Sequence, residues 1–79
     1  MAKFTQKEIE SGKEFTFESE TGDVLDLWHK TDGPNWTNKF QGMFNGEFFS
    51  YKTFVSFEKK ANDFIDKYEL NNLSDDGDN

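Results

Sequence analysis

His29 is the only histidine in the chain, and it is the first residue to consider for acid–base or nucleophilic chemistry. The chain contains no cysteine, and no serine stands at a spacing that indicates a nucleophile paired with His29. The segment VLDLWHK places His29 at the end of a predicted strand. We therefore predict no catalytic residue and no enzyme activity.

Carboxylates are the second group that could do chemistry, and five of them lie close together before residue 27. These residues are Glu14, Glu18, Glu20, Asp23 and Asp26. Glu18, Glu20, Asp23 and Asp26 surround a predicted turn, a pattern more typical of solvated charge than of an acid and a base with tuned pKa values. Weak cation binding at the turn stays open, but we predict no dedicated metal site there.

The known sequence motifs for calcium and phosphate binding do not fit this chain. The segment DDGDN, residues 75–79, has its glycine in the wrong place for a calcium-binding loop and lacks the glutamate that such a loop needs at its twelfth position. Gly42 and Gly46 lie around a predicted hairpin rather than between a strand and a helix, so they form no phosphate loop. We therefore predict no metal and no cofactor.

The charge of the chain indicates an interaction with another protein. Nine lysines and no arginine stand against sixteen acidic residues, which gives a formal net charge of −7. Arginine is preferred for bidentate contacts to phosphate and guanine, so a DNA-reading protein built with lysine alone would be unusual. A surface of this sign attracts basic proteins and repels nucleic acid. We therefore expect a basic protein as the partner and predict that the five clustered carboxylates bind it.

Length and composition indicate one small intracellular domain. A chain of 79 residues has a core near the lower limit for independent stability, so dimerisation would help. Without cysteine, neither a disulfide nor a thiolate zinc site adds stability, which fits a reducing compartment. The sequence shows no signal peptide and no apolar run long enough to span a membrane. We expect a soluble, cytoplasmic protein that has no contact with a membrane.

The first third of the chain predicts a short helix and a hairpin. Thr5 is positioned to cap a helix over QKEIE, and KEFTFESE and VLDLWHK then alternate like half-buried strands around ETGD. A two-residue turn in this hairpin would set Phe17 opposite Asp26, whereas pairing Phe17 with Leu25 requires an extra residue in the turn or a bulge. We predict the bulge.

Asn45-Gly46 predicts a second hairpin, because this dipeptide is the strongest short hairpin signal. Its strands would run over residues 36–44 and from residue 47 to about residue 54, and a C-terminal amphipathic helix would follow. Ser56 is the predicted N-cap of that helix, with Ser50 or Thr53 as alternatives that would lengthen it at the expense of the fourth strand.

These elements predict an α+β fold with a short N-terminal helix, a four-stranded antiparallel sheet and a C-terminal helix packed on one face. Residues 1–70 would form the single domain, and residues 71–79 a disordered acidic tail. Alternation in the second hairpin places one set of residues against the helix: Trp36, Phe40, Gly42, Phe44, Phe49, Tyr51 and Val55. The opposite face would hold Thr37, Lys39, Gln41, Met43, Phe48, Ser50, Lys52 and Phe54.

This opposite face is too apolar for a surface that only meets solvent, and it is a candidate interface. The residues that make it one are Lys39, Met43, Phe48, Lys52 and Phe54. A homodimer seam or additional core would explain them most simply. A partner protein or single-stranded nucleic acid stacked on the rings would also fit.

The acidic first third of the chain resembles in composition the small acidic bacteriophage proteins that act on host machinery, some of which imitate the charge of DNA. The resemblance carries no motif and rests on small size, Lys without Arg, abundant Phe, Asn and Asp, and a set of acids: Glu8, Glu10, Glu14, Glu18, Glu20, Asp23 and Asp26. It implies a host-takeover inhibitor in the host cytoplasm whose carboxylates occupy the basic groove of a nucleic-acid-binding protein. Such binding would weaken with salt. Alternatively, the acids only keep an aromatic-rich protein soluble.

The predicted order of strands and helix is similar to the plan of the PC4-like and Pur-like single-stranded nucleic-acid binders. SFEKKANDFIDKYEL, residues 56–70, stands in the place of their closing helix, and an acidic tail also suits such proteins. This resemblance implies nucleic-acid binding through a lysine patch formed by Lys39, Lys52, Lys59 and Lys60. The missing arginine and the negative net charge make it the second hypothesis, and a homo-oligomeric structural protein is the third.

Overall fold

A computed structural model describes residues 4–34 and 37–73 of the chain. The elements are α1 (Gln6–Glu10), β1 (Phe15–Glu18), β2 (Val24–His29), β3 (Phe40–Phe44), β4 (Glu47–Tyr51), α2 (Phe54–Tyr68) and β5 (Asn71–Asn72). They form an α+β fold in which α2 packs on a small antiparallel sheet, as predicted. The sheet has five strands in the order β4-β3-β2-β1-β5, so the prediction of four strands is wrong.

The additional strand arises because the chain turns back after α2. Glu69 ends the helix in the left-handed conformation with φ 55°, and Leu70 is buried beside the core. Asn71 and Asn72 then pair antiparallel with β1, at residues of the predicted tail. Asparagine is depleted in strands, so the pattern gave no signal for β5. Residues 74–79, the rest of the predicted tail, lie outside the described residues, as does Trp36.

Local sequence signals determine α1 and the first hairpin, and both predictions are confirmed. Thr5 caps α1 with a capping box, in which the Thr5 side chain accepts from the Glu8 N–H and the Glu8 carboxylate accepts from the Thr5 N–H. Phe17 pairs with Leu25. Gly22, with φ 96°, supplies the left-handed residue of a three-residue loop, which is the expected bulge.

The second hairpin has the predicted turn and register but shorter strands. Asn45 and Gly46 both have positive φ, 51° and 88°, as a type I′ turn requires. Phe44 pairs with Glu47, and Phe40 pairs with Tyr51. The ladder therefore covers residues 40–51 rather than residues 36–54.

The strand β4 is short because α2 begins earlier than the predicted Ser56 cap. Thr53 is the N-cap, and its hydroxyl accepts from the Ser56 N–H at 3.4 Å. The helix therefore starts at Phe54, which agrees with the alternative at Thr53. Val55 was predicted to face the helix from a strand, but it lies within α2 and is 75% exposed.

Both helices contribute side chains to one face of the sheet, where the core lies. Phe57 of α2 is fully buried, and its ring lies 5.8 Å from Phe4, which precedes α1, and 5.6 Å from Phe40 of β3. Burying one such ring contributes about 1.5–3 kcal/mol to stability, so this ring cluster is a main driving force in so small a domain. The buried apolar residues are Phe4, Ile9, Phe15, Phe17, Leu25, Leu27, Phe40, Phe44, Phe57, Ala61, Ile65 and Leu70.

Gly42 allows this packing because it leaves room for a ring on the neighbouring strand. Gly42 is buried opposite Phe49. A Cβ at position 42 would lie 2.5 Å from Cζ of Phe49 and 2.8 Å from the backbone oxygen of Asp26. The second contact is to backbone, so rotation of a side chain alone cannot relieve the crowding.

We expect Gly42→Ala to lower the free energy of unfolding by about 1–3 kcal/mol, because the added methyl group overpacks the core. Urea unfolding followed by tryptophan fluorescence measures the loss. Phe49→Leu removes the nearest ring atoms, so the double variant should lose less than the sum of the two single variants. Strictly additive losses would contradict this account of Gly42.

Candidate protein-binding face

The face of the sheet opposite the core is covered by neither described helix. We call it the outer face, and its strand residues are Thr16, Glu18, Val24, Asp26, Trp28, Gln41, Met43, Phe48 and Ser50. Four of them lie directly opposite one another in a row across β1 to β4, in the order Thr16, Asp26, Met43 and Phe48. The acidic cluster and part of the apolar patch that the sequence predicted separately therefore meet on one surface.

The five predicted carboxylates lie along β1, β2 and the turn between them. Glu18 and Asp26 are half-buried on the outer face, Glu14 precedes β1, Glu20 is exposed in the turn, and Asp23 leads into β2. No lysine occurs between residues 14 and 29. Within the described part of the chain, none of the five carboxylates forms an ion pair. Their negative charge is therefore available to a partner.

Asp23 differs from the other four because its carboxylate joins the two turns of the sheet. The Asn45 side chain donates to it at 3.0 Å, and the hydroxyls of Ser19 and Thr21 each donate at 3.1 Å. Asn45 also accepts from the Val24 N–H at 2.8 Å through its side-chain oxygen. Hydrogen bonding, first from Asn45, lowers the pKa of Asp23 below 3.8. The structure thus gives Asp23 a role in holding the hairpins together.

Asp26 lies at the boundary between the acidic and the apolar parts of the outer face. Its Oδ1 accepts a hydrogen bond from the Thr16 hydroxyl at 2.9 Å, which fixes the carboxylate on the sheet. Met43 lies directly opposite Asp26 on β3. A ligand that contacts the Asp26 carboxylate therefore also meets an apolar side chain.

The apolar part of the outer face consists of Trp28, Met43 and Phe48. Phe48 is 57% exposed and Met43 36% exposed, and the ring centroids of Trp28 and Phe48 are 6.3 Å apart. Trp28 Nε1 donates to Gln41 Oε1 at 2.9 Å, which holds the indole against the sheet. The sequence prediction of the interface missed Trp28. The alternation in VLDLWH could have identified Trp28. Leu25 and Leu27 face the core, so Trp28, the next residue along the strand, faces outward.

A shallow groove of about 470 Å³ crosses the outer face between its acidic and apolar parts. The residues that line it are Glu14, Phe15, Thr16, Asp26, Leu27, Trp28 and Met43. Two carboxylates, an indole and a thioether thus border one depression. This combination suits a cationic side chain with an apolar stem, because the carboxylates and the indole attract the charge while Met43 meets the stem.

Three of the residues predicted for the interface lie outside the strands of the outer face. Phe54 belongs to the first turn of α2, and its ring lies 5.7 Å from both Phe4 and Phe40, so it joins the core. The reason is the Thr53 cap, which takes the chain off the sheet before Phe54. Lys39 and Lys52 lie just beyond the ends of β3 and β4 and do not pair in the ladder.

The described residues also include the single histidine and the carboxylates that could serve catalysis or metal binding. His29 is half-buried at the end of β2, with its ring 5.0 Å from that of Phe40. Its buried Nδ1 has no hydrogen-bond partner within residues 4–34 and 37–73. In the same residues, no three acidic or histidine side chains are grouped to hold a metal ion. No described helix combines the length and the hydropathy needed to cross a membrane.

The comparisons with known proteins give no relative for this chain. No protein-family model, no curated protein and no solved structure matches it. The geometry and charge of the outer face are therefore the features that bear on function.

The lowered pKa of Asp23 predicts a specific loss of stability in acid. A pKa below that of the unfolded chain means that ionised Asp23 stabilises the fold above the unfolded value near 3.8. This contribution disappears as the pH falls through the folded pKa. We therefore expect Asp23→Asn to be less stable than the parent at neutral pH, with the difference shrinking below about pH 4.

Urea unfolding of both proteins at a series of pH values measures this difference. Glu20→Gln removes one charge from the same turn and serves as the control. Parent and Asp23→Asn curves that stay parallel from neutral to acidic pH would contradict the role given to Asp23.

Proposed function

We propose that this chain is a small protein-binding module that engages a basic, nucleic-acid-binding protein through its outer face and blocks it by charge mimicry. The observation that carries the proposal is the position of the lysine-free acidic segment, residues 14–29, which borders an exposed aromatic surface that neither described helix covers. A partner with basic and apolar side chains complements both parts. The absence of enzyme activity and of a cofactor stays a prediction.

The spacing of the carboxylates supports recognition of several positive charges at once. Thr16 lies opposite Asp26, so Glu18 is a diagonal neighbour of Asp26 on the adjacent strand. Diagonal neighbours in an antiparallel sheet are about 7–8 Å apart, which allows one basic surface to contact both carboxylates. Glu14 lines the same groove as Asp26. These three groups would take the place of phosphates in the partner's nucleic-acid site.

The side chains that line the groove would add contacts that make docking specific, beyond the attraction between opposite charges. Exposed ion pairs alone contribute little to affinity and weaken with salt. An arginine or lysine in the groove would instead meet Glu14 and Asp26 together with the face of Trp28. Burial of Phe48 and Met43 would add an apolar contribution that salt does not screen. The proposed mode of binding is therefore mixed, with steering by charge and anchoring by rings.

Neutralising the acidic part of the outer face tests the proposal. The variant Glu14→Gln/Glu18→Gln/Asp26→Asn should lose roughly tenfold or more in affinity, because three charge contacts are removed. The matched control is Glu10→Gln/Asp66→Asn/Glu69→Gln, which removes three exposed charges from the helical side. Binding is measured by affinity capture from nuclease-treated lysate of the native source, with elution by salt or by competing duplex DNA.

The expected result is that the parent and the control retain DNA-binding proteins that duplex DNA elutes, while the outer-face variant does not. Equal retention by both triple variants would contradict the proposal, since the position of the charge would then not matter. Retained proteins that duplex DNA does not elute would contradict charge mimicry.

A second candidate function is supported by the ring pair on the outer face. Trp28 and Phe48 lie side by side on an open antiparallel sheet, an arrangement on which single-stranded bases stack in other proteins. The adjacent carboxylates disfavour this ligand, because they repel phosphate. We keep it second for that reason.

Fluorescence distinguishes the second candidate from the first. Trp36→Phe leaves Trp28 as the single tryptophan, so its emission reports on the outer face. Our proposal predicts no change when oligo-dT is added at low salt. A saturable change in Trp28 emission on adding oligo-dT would favour nucleic-acid binding over charge mimicry, provided that two variants behave as follows. Phe48→Ala should abolish the change, and Phe48→Lys should not strengthen it.

A further inference from the structure

The edge of the sheet at β4 has an unused row of backbone hydrogen-bonding groups. β4 pairs with β3 on one side, and no strand of residues 4–34 and 37–73 pairs with its other side. The two-residue turn makes Phe44 and Glu47 a hydrogen-bonded pair. Hydrogen-bonded pairs alternate along an antiparallel ladder, so Glu47, Phe49 and Tyr51 are the residues of β4 that bond to β3. Consequently, Phe48 and Ser50 direct their N–H and C=O groups away from the sheet.

This edge lacks the features that usually prevent strand addition. The five residues Glu47–Tyr51 contain no proline and no lysine, and Glu47 is their single charge. The opposite edge is different, since β5 has just two residues. A strand of this length and composition is therefore the part of the sheet best able to accept another strand.

We propose that β4 pairs antiparallel with β4 of a second copy of the chain, around a two-fold axis at Phe49. This register overlaps all five residues and sets Phe48 of one copy opposite Ser50 of the other. Both residues have outward backbone groups, so the two symmetric pairs each form two hydrogen bonds. The product is one continuous ten-stranded sheet with an isologous seam.

The position of α2 makes this seam complementary in charge to itself. The Phe49 ring lies 6.2 Å from Phe57 and 5.7 Å from Phe64, so the axis passes α2 about midway between these two residues. A two-fold axis at that level brings Lys59 of one copy toward Asp63 of the other, and Asp63 toward Lys59. Within one copy, Lys59 Nζ already lies 3.7 Å from Asp63 Oδ2. The seam would therefore bring two such ion pairs side by side in reversed order, so that the charges of Lys59 and Asp63 alternate across it.

A groove lies beside β4, at the place where α2 of the second copy would approach. It has a volume of about 280 Å³ and is lined by Tyr51, Ser56, Lys59, Lys60 and Asp63. The helix α2 lies above β2, β3 and β4, so it is centred on β3. In the dimer the two β3 strands would be three strand spacings apart, and the two helices would therefore be roughly 14 Å apart. Lysine and aspartate side chains span the space left between helices at that distance. A second copy is thus favoured over a basic or an acidic peptide, since each of these would match only one sign of charge.

Sedimentation equilibrium of the intact chain and of two variants at position 50 tests the pairing. The parent should be a dimer. Ser50→Pro removes an outward N–H without removing a bond to β3, so it should be monomeric where the parent is dimeric. Ser50→Ala keeps the N–H and should dimerise like the parent. A monomeric parent, or a dimer that Ser50→Pro leaves intact, would overturn the proposal.

Charge reversal at α2 provides a test that does not alter the sheet. Lys59→Asp should weaken the dimer roughly tenfold, because it places like charges together at two symmetric contacts. Lys59→Asp/Asp63→Lys restores opposite charges and should restore the dimer. Equal dissociation constants for the parent and both variants would overturn the placement of the helices.

Amide hydrogen exchange in the parent gives a readout that needs no variant. The Phe48 and Ser50 amides should become protected as the protein concentration rises, whereas the Phe49 amide bonds β3 and should be protected throughout. Phe48 and Ser50 amides that exchange rapidly at concentrations where the protein is dimeric would place the seam elsewhere.

Discussion

Packing of aromatic rings on one side of the sheet holds this fold together. Phe57 lies at its centre, with rings from the N-terminal segment, β3, β4 and its own helix around it. Because both helices supply side chains to this side, neither described helix covers the other side. The small size of the domain therefore has a direct consequence: core formation leaves one sheet face and one sheet edge for contacts with other molecules.

The composition of the exposed face follows from that constraint. An open face that carries Trp28, Met43 and Phe48 would promote nonspecific association if it were uniformly apolar. The carboxylates along β1 and β2 limit that association and restrict which partner can bind, because a partner must also supply positive charge. The β4 edge lies away from the acidic strands, so self-association would use the backbone groups of β4, whereas partner binding would use side chains of the outer face.

The sequence predicted the elements whose signals are local. The Thr5 cap, the Asn45-Gly46 turn and the pairing of Phe17 with Leu25 all depend on residues close together in the chain, and the structure has each of them. The β5 strand could not be predicted, because Asn71 and Asn72 pair through their backbones after a left-handed turn at Glu69. Phe54 was assigned to a strand because Ser50, Thr53 and Ser56 are all suitable N-caps, and the local sequence does not show that Thr53 is the one used. The meeting of the acidic and apolar residues required the order of the strands, which alternation alone does not determine.

We propose that the outer face binds basic partners through its carboxylates and its rings together. Titration of the ¹⁵N-labelled protein with a peptide of alternating arginine and leucine, followed by amide chemical shifts, tests it most directly. We expect the chemical-shift changes to cluster at Asp26, Trp28 and Met43 and to diminish with salt. Shifts that cluster instead at the helical carboxylates Asp63 and Asp66, or that spread evenly over the acidic residues, would contradict it.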